Sequence, residues 1–137
     1  MLAVDLSASM QTQDFKIKGK YTDRLTALKF IVSDFIERRK GDRIGLILFG
    51  SNAYLQAPLT FDTTTVKQFL QESQVGFAGN ATAIGDAIGL AVKQLKSSAQ
   101  KSKVLILLTD GSNNAGELTP QKAAEIAAKA QLKIHTV

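Results

Sequence analysis

There is no cysteine among the 137 residues, which removes disulfide scaffolds, thiolate zinc sites and cysteine nucleophiles from consideration. A chain without thiols suits reducing and oxidising compartments alike, so this absence assigns no location. Histidine occurs once, at His135. Long apolar runs are missing too. The longest, Val104 to Leu108, is far short of the roughly 20 residues that a membrane-crossing helix needs. Nothing reads as a signal peptide, and the stretch is expected to be soluble as it stands. Nucleotide-cradling glycine loops of the G-x-x-x-x-G-K-[ST] or G-x-G-x-x-G kind are absent, as is the G-x-S-x-G of a nucleophile elbow. There is no internal repeat and no low-complexity linker.

What is present is globular in composition, with 45% hydrophobic and 21% charged residues. The length suits one domain spanning residues 1–137. Lys and Arg number 17 against 12 Asp and Glu, a net charge of +5. The basic residues are scattered, with only Arg38-Arg39-Lys40 in a run, and no aromatic stripe interleaves them. That pattern describes a solvated surface rather than a nucleic-acid reader.

Short aliphatic runs at Met1 to Val4, Ile44 to Phe49 and Val104 to Leu108 predict strands buried on both faces, as in a parallel sheet covered by helices. Leu132, Ile134 and Thr136, alternating with Lys133, His135 and Val137, predict a fourth strand that is less buried at one edge or end. Ser51 to Gln56 predicts a brief antiparallel strand, paired with Ile44 to Phe49 across a turn at Gly50-Ser51-Asn52. Between these lie helical stripes. Leu25, Leu28, Ile31, Val32, Phe35 and Ile36 form one, and Ile84, Ala87, Ile88, Ala91, Val92 and Leu95 a more regular one. A smaller stripe follows Pro120, and a short helix around Val66, Phe69 and Leu70 follows Asp62. The order predicts a doubly wound α/β fold: a mostly parallel central sheet, one short antiparallel edge strand, and helices on both faces. A closing helix to cover the last strand is not in the sequence. The expectation is therefore a domain trimmed at its C-terminus, with the open sheet face at Ile134 inviting a dimer.

In such a sheet, ligands bind beyond the carboxyl ends of the strands where strand order reverses. The first strand ends in Asp5-Leu6-Ser7-Ala8-Ser9. The strand at Val104 to Leu108 ends in Thr109-Asp110-Gly111-Ser112, and Gly79-Asn80-Ala81-Thr82 opens the most regular helix. Each loop alone reads as a cap or a turn. Together, two aspartates at the ends of apolar strands call for a cation or hydrogen-bond donors. Carboxylate and hydroxyl oxygens, without thiol or imidazole, suit Mg²⁺, Mn²⁺ or Ca²⁺ rather than zinc or copper.

The D-x-S-x-S loop, a threonine in a glycine-flanked loop and an aspartate after a buried strand together resemble the metal-ion-dependent adhesion site of von Willebrand factor A domains. The resemblance implies that Asp5, Ser7, Ser9, Thr82 and Asp110 hold a divalent cation, Mg²⁺ first among the candidates. The three hydroxyls would ligate directly and the two aspartates mostly through water. It also implies a binding module whose cation coordinates an Asp or Glu carboxylate of a partner protein. DLSASM, DRLTALKFIVSDFI, GDRIGLILFGSNAYLQAPLT, NATAIGDAIGLAV and LLTDGSNNAG further resemble bacterial Bat-type aerotolerance proteins. By that resemblance the full-length protein is anchored in the inner membrane, with this domain periplasmic. The stretch Gln11 to Thr22 departs from the pattern as a polar insertion, read either as part of the binding rim or as a mobile excursion.

Three functional classes follow: the binding module, a structural subunit whose ion staples loops, and a Mg²⁺-dependent or serine hydrolase. The hydrolase is disfavoured. Ser7 stands where an aspartate-nucleophile phosphohydrolase places its second acid, and neither Ser7 nor Ser9 has flanking glycines. His135 reads as a structural histidine. Asp86 reads as a helix-dipole partner with a ligand-water role as its alternative, and Asn113 and Asn114 as shapers of the turn after Asp110. The TDGSNNAGE stretch is no EF-hand, since Ala115 and Gln121 replace the required glycine and glutamate.

Overall fold

The computed structural model describes residues 1–39, 41–96, 103–111 and 113–137. Lys40 of the basic run and Ser112 of the loop after Leu108 lie outside the described residues. Chain order is β1 (Leu2–Asp5), a 3₁₀ turn (Ala8–Gln11), β2 (Phe15–Ile17), β3 (Lys20–Thr22) and α1 (Arg24–Glu37), then β4 (Ile44–Phe49), β5 (Ala53–Thr60) and α2 (Thr63–Glu72). It continues through α3 (Ile84–Lys96), β6 (Lys103–Leu108), α4 (Pro120–Lys129) and β7 (Leu132–Thr136).

Five strands make the main sheet in the order β5-β4-β1-β6-β7. Every pairing is parallel except β4 with the edge strand β5. The apolar runs produce this arrangement because β1 and β4 are buried at every residue and must be covered on both sides. Alternate side chains take opposite faces. Leu2, Val4, Leu46, Leu48 and Leu108 share one buried cluster with Leu25, Val32 and Ile36 of α1 and Val66 and Leu70 of α2. Ala3, Ile47, Phe49, Leu105 and Leu107 share the other with the Ala87–Leu95 stripe of α3 and Ala123 and Ala127 of α4. The helices are capped as their sequences suggest. The side chains of Asp23, Asp62 and Thr119 accept from the backbone N–H three residues on, at the starts of α1, α2 and α4.

Two elements differ from the sequence reading. The antiparallel strand runs from Ala53 to Thr60 rather than stopping at Gln56. Pro58 is tolerated there because β5 is an edge strand with no second neighbour to receive an N–H, and the pairing with β4 shifts register on either side of Leu46. The Gln11 to Thr22 insertion starts from the last residue of the 3₁₀ turn and is built as the β2–β3 hairpin, whose turn takes Lys18 and Gly19 through positive φ.

The chain leaves β1 towards β4 and β5, then returns to place β6 on the other side of β1. Strand order thus reverses between β1 and β6, and a crevice forms beyond their carboxyl ends. Asp5 closes β1, and Thr109-Asp110 follows β6 directly.

Candidate metal centre

Asp5 is fully buried because its Cα belongs to the sheet, in register with Phe49 of β4. Its carboxylate is committed to two neighbours. Oδ1 accepts the Ser7 N–H at 2.8 Å, which folds the first loop back over the strand end. Oδ2 accepts the Thr109 hydroxyl at 2.6 Å, which ties the first loop to the third. Ser7 is 1% exposed. Its Oγ lies 3.3 Å from the Ser9 Oγ, and Ser9 Oγ donates to Asp110 Oδ1 at 2.8 Å. The 3₁₀ turn that carries Ser9 is pinned by Met10, whose side chain is buried among α1 residues and Leu108 in the core.

Thr82 reaches the same place from the other side. It is 4% exposed and clasped by Asn114, which accepts the Thr82 N–H at 2.7 Å and returns its own N–H to the Thr82 carbonyl at 2.9 Å. A Cβ placed on Gly111 would sit 3.7 Å from Thr82 Oγ1, so the threonine hydroxyl abuts the residue next to Asp110. The first and second loops also touch, because Ala8 N–H donates to the Asn80 carbonyl at 3.1 Å. Small residues permit this approach. A Cβ on Gly50 would overlap the Gly79 carbonyl oxygen, and one on Gly79, which sits at φ +91, would overlap Ser51.

Of the five positions singled out in the sequence, Asp5, Ser7, Ser9 and Asp110 are linked in one chain of close polar contacts at the switch point, and Thr82 lies beside them next to Gly111. Together they offer two carboxylates and three hydroxyls, and among the described residues no group of three or more His, Cys, Asp or Glu gathers anywhere. That donor set fits a hard, oxygen-seeking divalent cation, with the neutral hydroxyls leaving its charge only partly compensated.

Several partners escaped the sequence reading. Arg24, the first residue of α1, donates from Nη1 to Asp110 Oδ2 at 2.5 Å. Its other edge clamps Asp14 of the insertion, through Nε to Oδ1 at 3.1 Å and Nη2 to Oδ2 at 2.7 Å. The hydrogen bonds to Asp14 and then to Asp110 raise the already high Arg24 pKa, and the Arg24 hydrogen bond holds the Asp14 carboxyl below its ordinary value. The insertion thus borders the crevice. Asn113 does more than shape a turn, since its Oδ1 accepts from the N–H groups of Ile84 and Gly85 and caps α3. Asp86 faces the chain after Asp110, accepting from Leu118 N–H at 2.8 Å and from Glu117 N–H. His135, read as a structural histidine, is exposed on the edge strand β7, in register with Ile106. The pairing of Asp14, Arg24 and Asp110 had no local signal, since it joins residues 10 and 86 positions apart.

Comparison with known proteins bears on the fold. Residues 1–113 match the family described as von Willebrand factor type A domain. A membrane-spanning protein of Vibrio fischeri shares 51% identity over 99% of this chain and 67% of its own, with a TM-score of 0.68. BatB of Bacteroides thetaiotaomicron shares 30% identity over 98% of this chain and 63% of its own, with a TM-score of 0.85. A more distant likeness in fold is proximal thread matrix protein 1 of the mussel byssus, solved with a zinc-occupied MIDAS motif. It is 20% identical over 98% of this chain and 36% of its own, with a TM-score of 0.75. The chain spans 39% of the length of a Borreliella burgdorferi relative with which it is 29% identical over 137 residues.

Proposed function

This chain belongs to the von Willebrand factor type A domain family, and we propose that it is a protein-binding module in which Asp5, Ser7, Ser9, Thr82 and Asp110 hold a divalent cation, Mg²⁺ foremost. The observation that carries the reading is the meeting of these five oxygen-bearing side chains, from three loops far apart in sequence, where the strand order reverses. The zinc-occupied motif of the mussel matrix protein lends support for a divalent ion in a domain of this fold.

When bound, the cation supplies a Lewis-acidic contact for a carboxylate from an Asp or Glu of the partner protein. The protein's own part is positional. Asp5, tied to Ser7 N–H and Thr109, orients the first loop so that the Ser7 and Ser9 hydroxyls present together. Asn114 fixes the backbone of Thr82. We read this as binding chemistry rather than catalysis, a reading supported by the family match.

Among the described residues no helix is long and apolar enough to cross a membrane. One of the relatives named above is a membrane-spanning protein, which supports a membrane-anchored parent protein; its placement in the inner membrane with this domain in the periplasm is our reading from the resemblance to Bat-type proteins.

The test is thermal denaturation under Mg²⁺ or Mn²⁺ titration, together with capture of a partner in the presence and absence of chelator. The ion should raise Tm by mass action, and Thr82→Ala should abolish the shift. Partner capture should be lost with EDTA and with substitution of one acidic residue on the partner. An equal shift in Thr82→Ala would refute the site. Capture that survives chelation would favour an ion that merely staples the loops.

A further inference from the structure

Arg24 is the one cationic side chain among the described residues seen to pair with the proposed ligand set, and it is not free to leave. Its backbone N–H donates to Thr12 O at 3.1 Å, its side chain is 26% exposed, and Asp14 grips the guanidinium along its Nε–Nη2 edge. The remaining arm meets Asp110 Oδ2, while Asp110 Oδ1 takes the Ser9 hydroxyl. Both oxygens of Asp110 are thus engaged, one of them by a fixed positive charge. A divalent cation drawing on Asp110 shares it with a guanidinium, and the two cations repel.

The charges indicate what such an arrangement favours. Asp5, Asp14 and Asp110 carry three negative charges and Arg24 one positive. A divalent ion brings the group to neutrality, and an incoming carboxylate then meets both the ion and a guanidinium suited to planar oxyanions. Without Arg24 the same ion would bind a more negative cluster, and the carboxylate would approach a group already one charge more negative.

We propose that Arg24, clamped by Asp14, couples the two ligands of the site, weakening the cation alone and strengthening the cation together with an anionic carboxylate. The inference rests on the metal reading above and names a residue outside its ligand set. Arg24 is a positioning and specificity residue: it selects for occupancy by ion and acid together over ion by itself.

The test uses the 137-residue chain, MnCl₂ as the ion and sodium acetate as the carboxylate, against chloride at matched ionic strength. The readout is the Mn²⁺ concentration giving half the maximal thermal shift. In wild type, acetate should lower this midpoint. Arg24→Gln should lower the midpoint in chloride by about two- to fivefold, the upper part of the range expected for one partly exposed charge pair, and should lose most of the acetate effect. Asp14→Asn should do the opposite in chloride, raising the midpoint, because it removes a negative charge and leaves Arg24 to Asp110.

Both substitutions break the same Asp14–Arg24 pair, so a purely architectural role would move the two midpoints in one direction. That common direction, or an unmoved Arg24→Gln midpoint beside a clear wild-type response, would overturn the inference alone. A wild type indifferent to Mn²⁺ would overturn the metal reading and the inference with it.

Discussion

Replacing Asp5 by Asn should make the metal-depleted protein more stable. Asp5 is fully buried, and its hydrogen bonds come from two neutral donors, Ser7 N–H and the Thr109 hydroxyl. No ion pair among the described residues reaches it, whereas Asp110 has Arg24. Asparagine keeps the shape. Its Oδ1 can still accept from Ser7, and its amide can donate to Thr109 Oγ1, which already accepts Gly111 N–H at 3.2 Å. Burying a carboxylate costs several kcal/mol, and each hydrogen bond to it returns about 1.5–3 kcal/mol, so removing the charge should gain about 1–2 kcal/mol. With an unfolding entropy of about 2.1 cal/mol/K per residue, the 137 residues translate this into a rise in Tm of about 3–7 °C. The assay is thermal denaturation in EDTA and again with saturating Mn²⁺. In EDTA the variant should melt above wild type, and with Mn²⁺ only wild type should move. A variant that melts lower in EDTA, or responds equally to Mn²⁺, would refute the idea that this carboxylate is held in place for a cation. Asp110→Asn should show no comparable gain, because the Asp110 charge is already met by Arg24.

Gly85→Ala should cost about 1–3 kcal/mol in urea denaturation, since the added methyl would overlap the Leu118 carbonyl oxygen and force α3 from the loop that follows Asp110; an unchanged midpoint would mean that this contact yields without strain. Asp62 caps α2 by accepting from Thr65 Oγ1 at 2.6 Å and Thr65 N–H at 3.2 Å, and the Thr65 side-chain bond is the main reason its folded pKa lies below 3.8. A depressed carboxyl pKa contributes stability above the unfolded value that disappears as pH falls through the folded one. The stability difference between wild type and Asp62→Ala should therefore be constant near neutrality and shrink below pH 3.8, as followed by denaturation at stepped pH; a difference that persists into strong acid would contradict this.

The aliphatic strands were legible in sequence because burial on both faces leaves no polar alternation, as in Ile44 to Phe49. The stripe of α3 was legible because its buried residues keep strict helical spacing. The cluster could be read from the principle that ligands gather at strand ends together with the family resemblance, both of which depend on local pattern. What escaped was long-range or too short to have a period. Strands β2 and β3 have three residues each and largely exposed side chains, so they leave no hydrophobic signature. The tail of β5 was hidden by Pro58, which only an edge position excuses. Arg24 is one residue past a helix cap, and its sequence neighbours say nothing of Asp14 or Asp110. Asp86 was read through its own helix, but its bonds run to the Glu117 and Leu118 backbone some thirty positions away.

The central claim is that side chains of three loops converge to seat one divalent ion. The most direct measurement is anomalous scattering from crystals equilibrated with Mn²⁺, recorded near the manganese edge. The account predicts one dominant peak within coordinating distance of the Ser7, Ser9 and Thr82 hydroxyls, with Asp5 and Asp110 beside it. A saturated crystal whose manganese lies elsewhere, with nothing among those three oxygens, would contradict it.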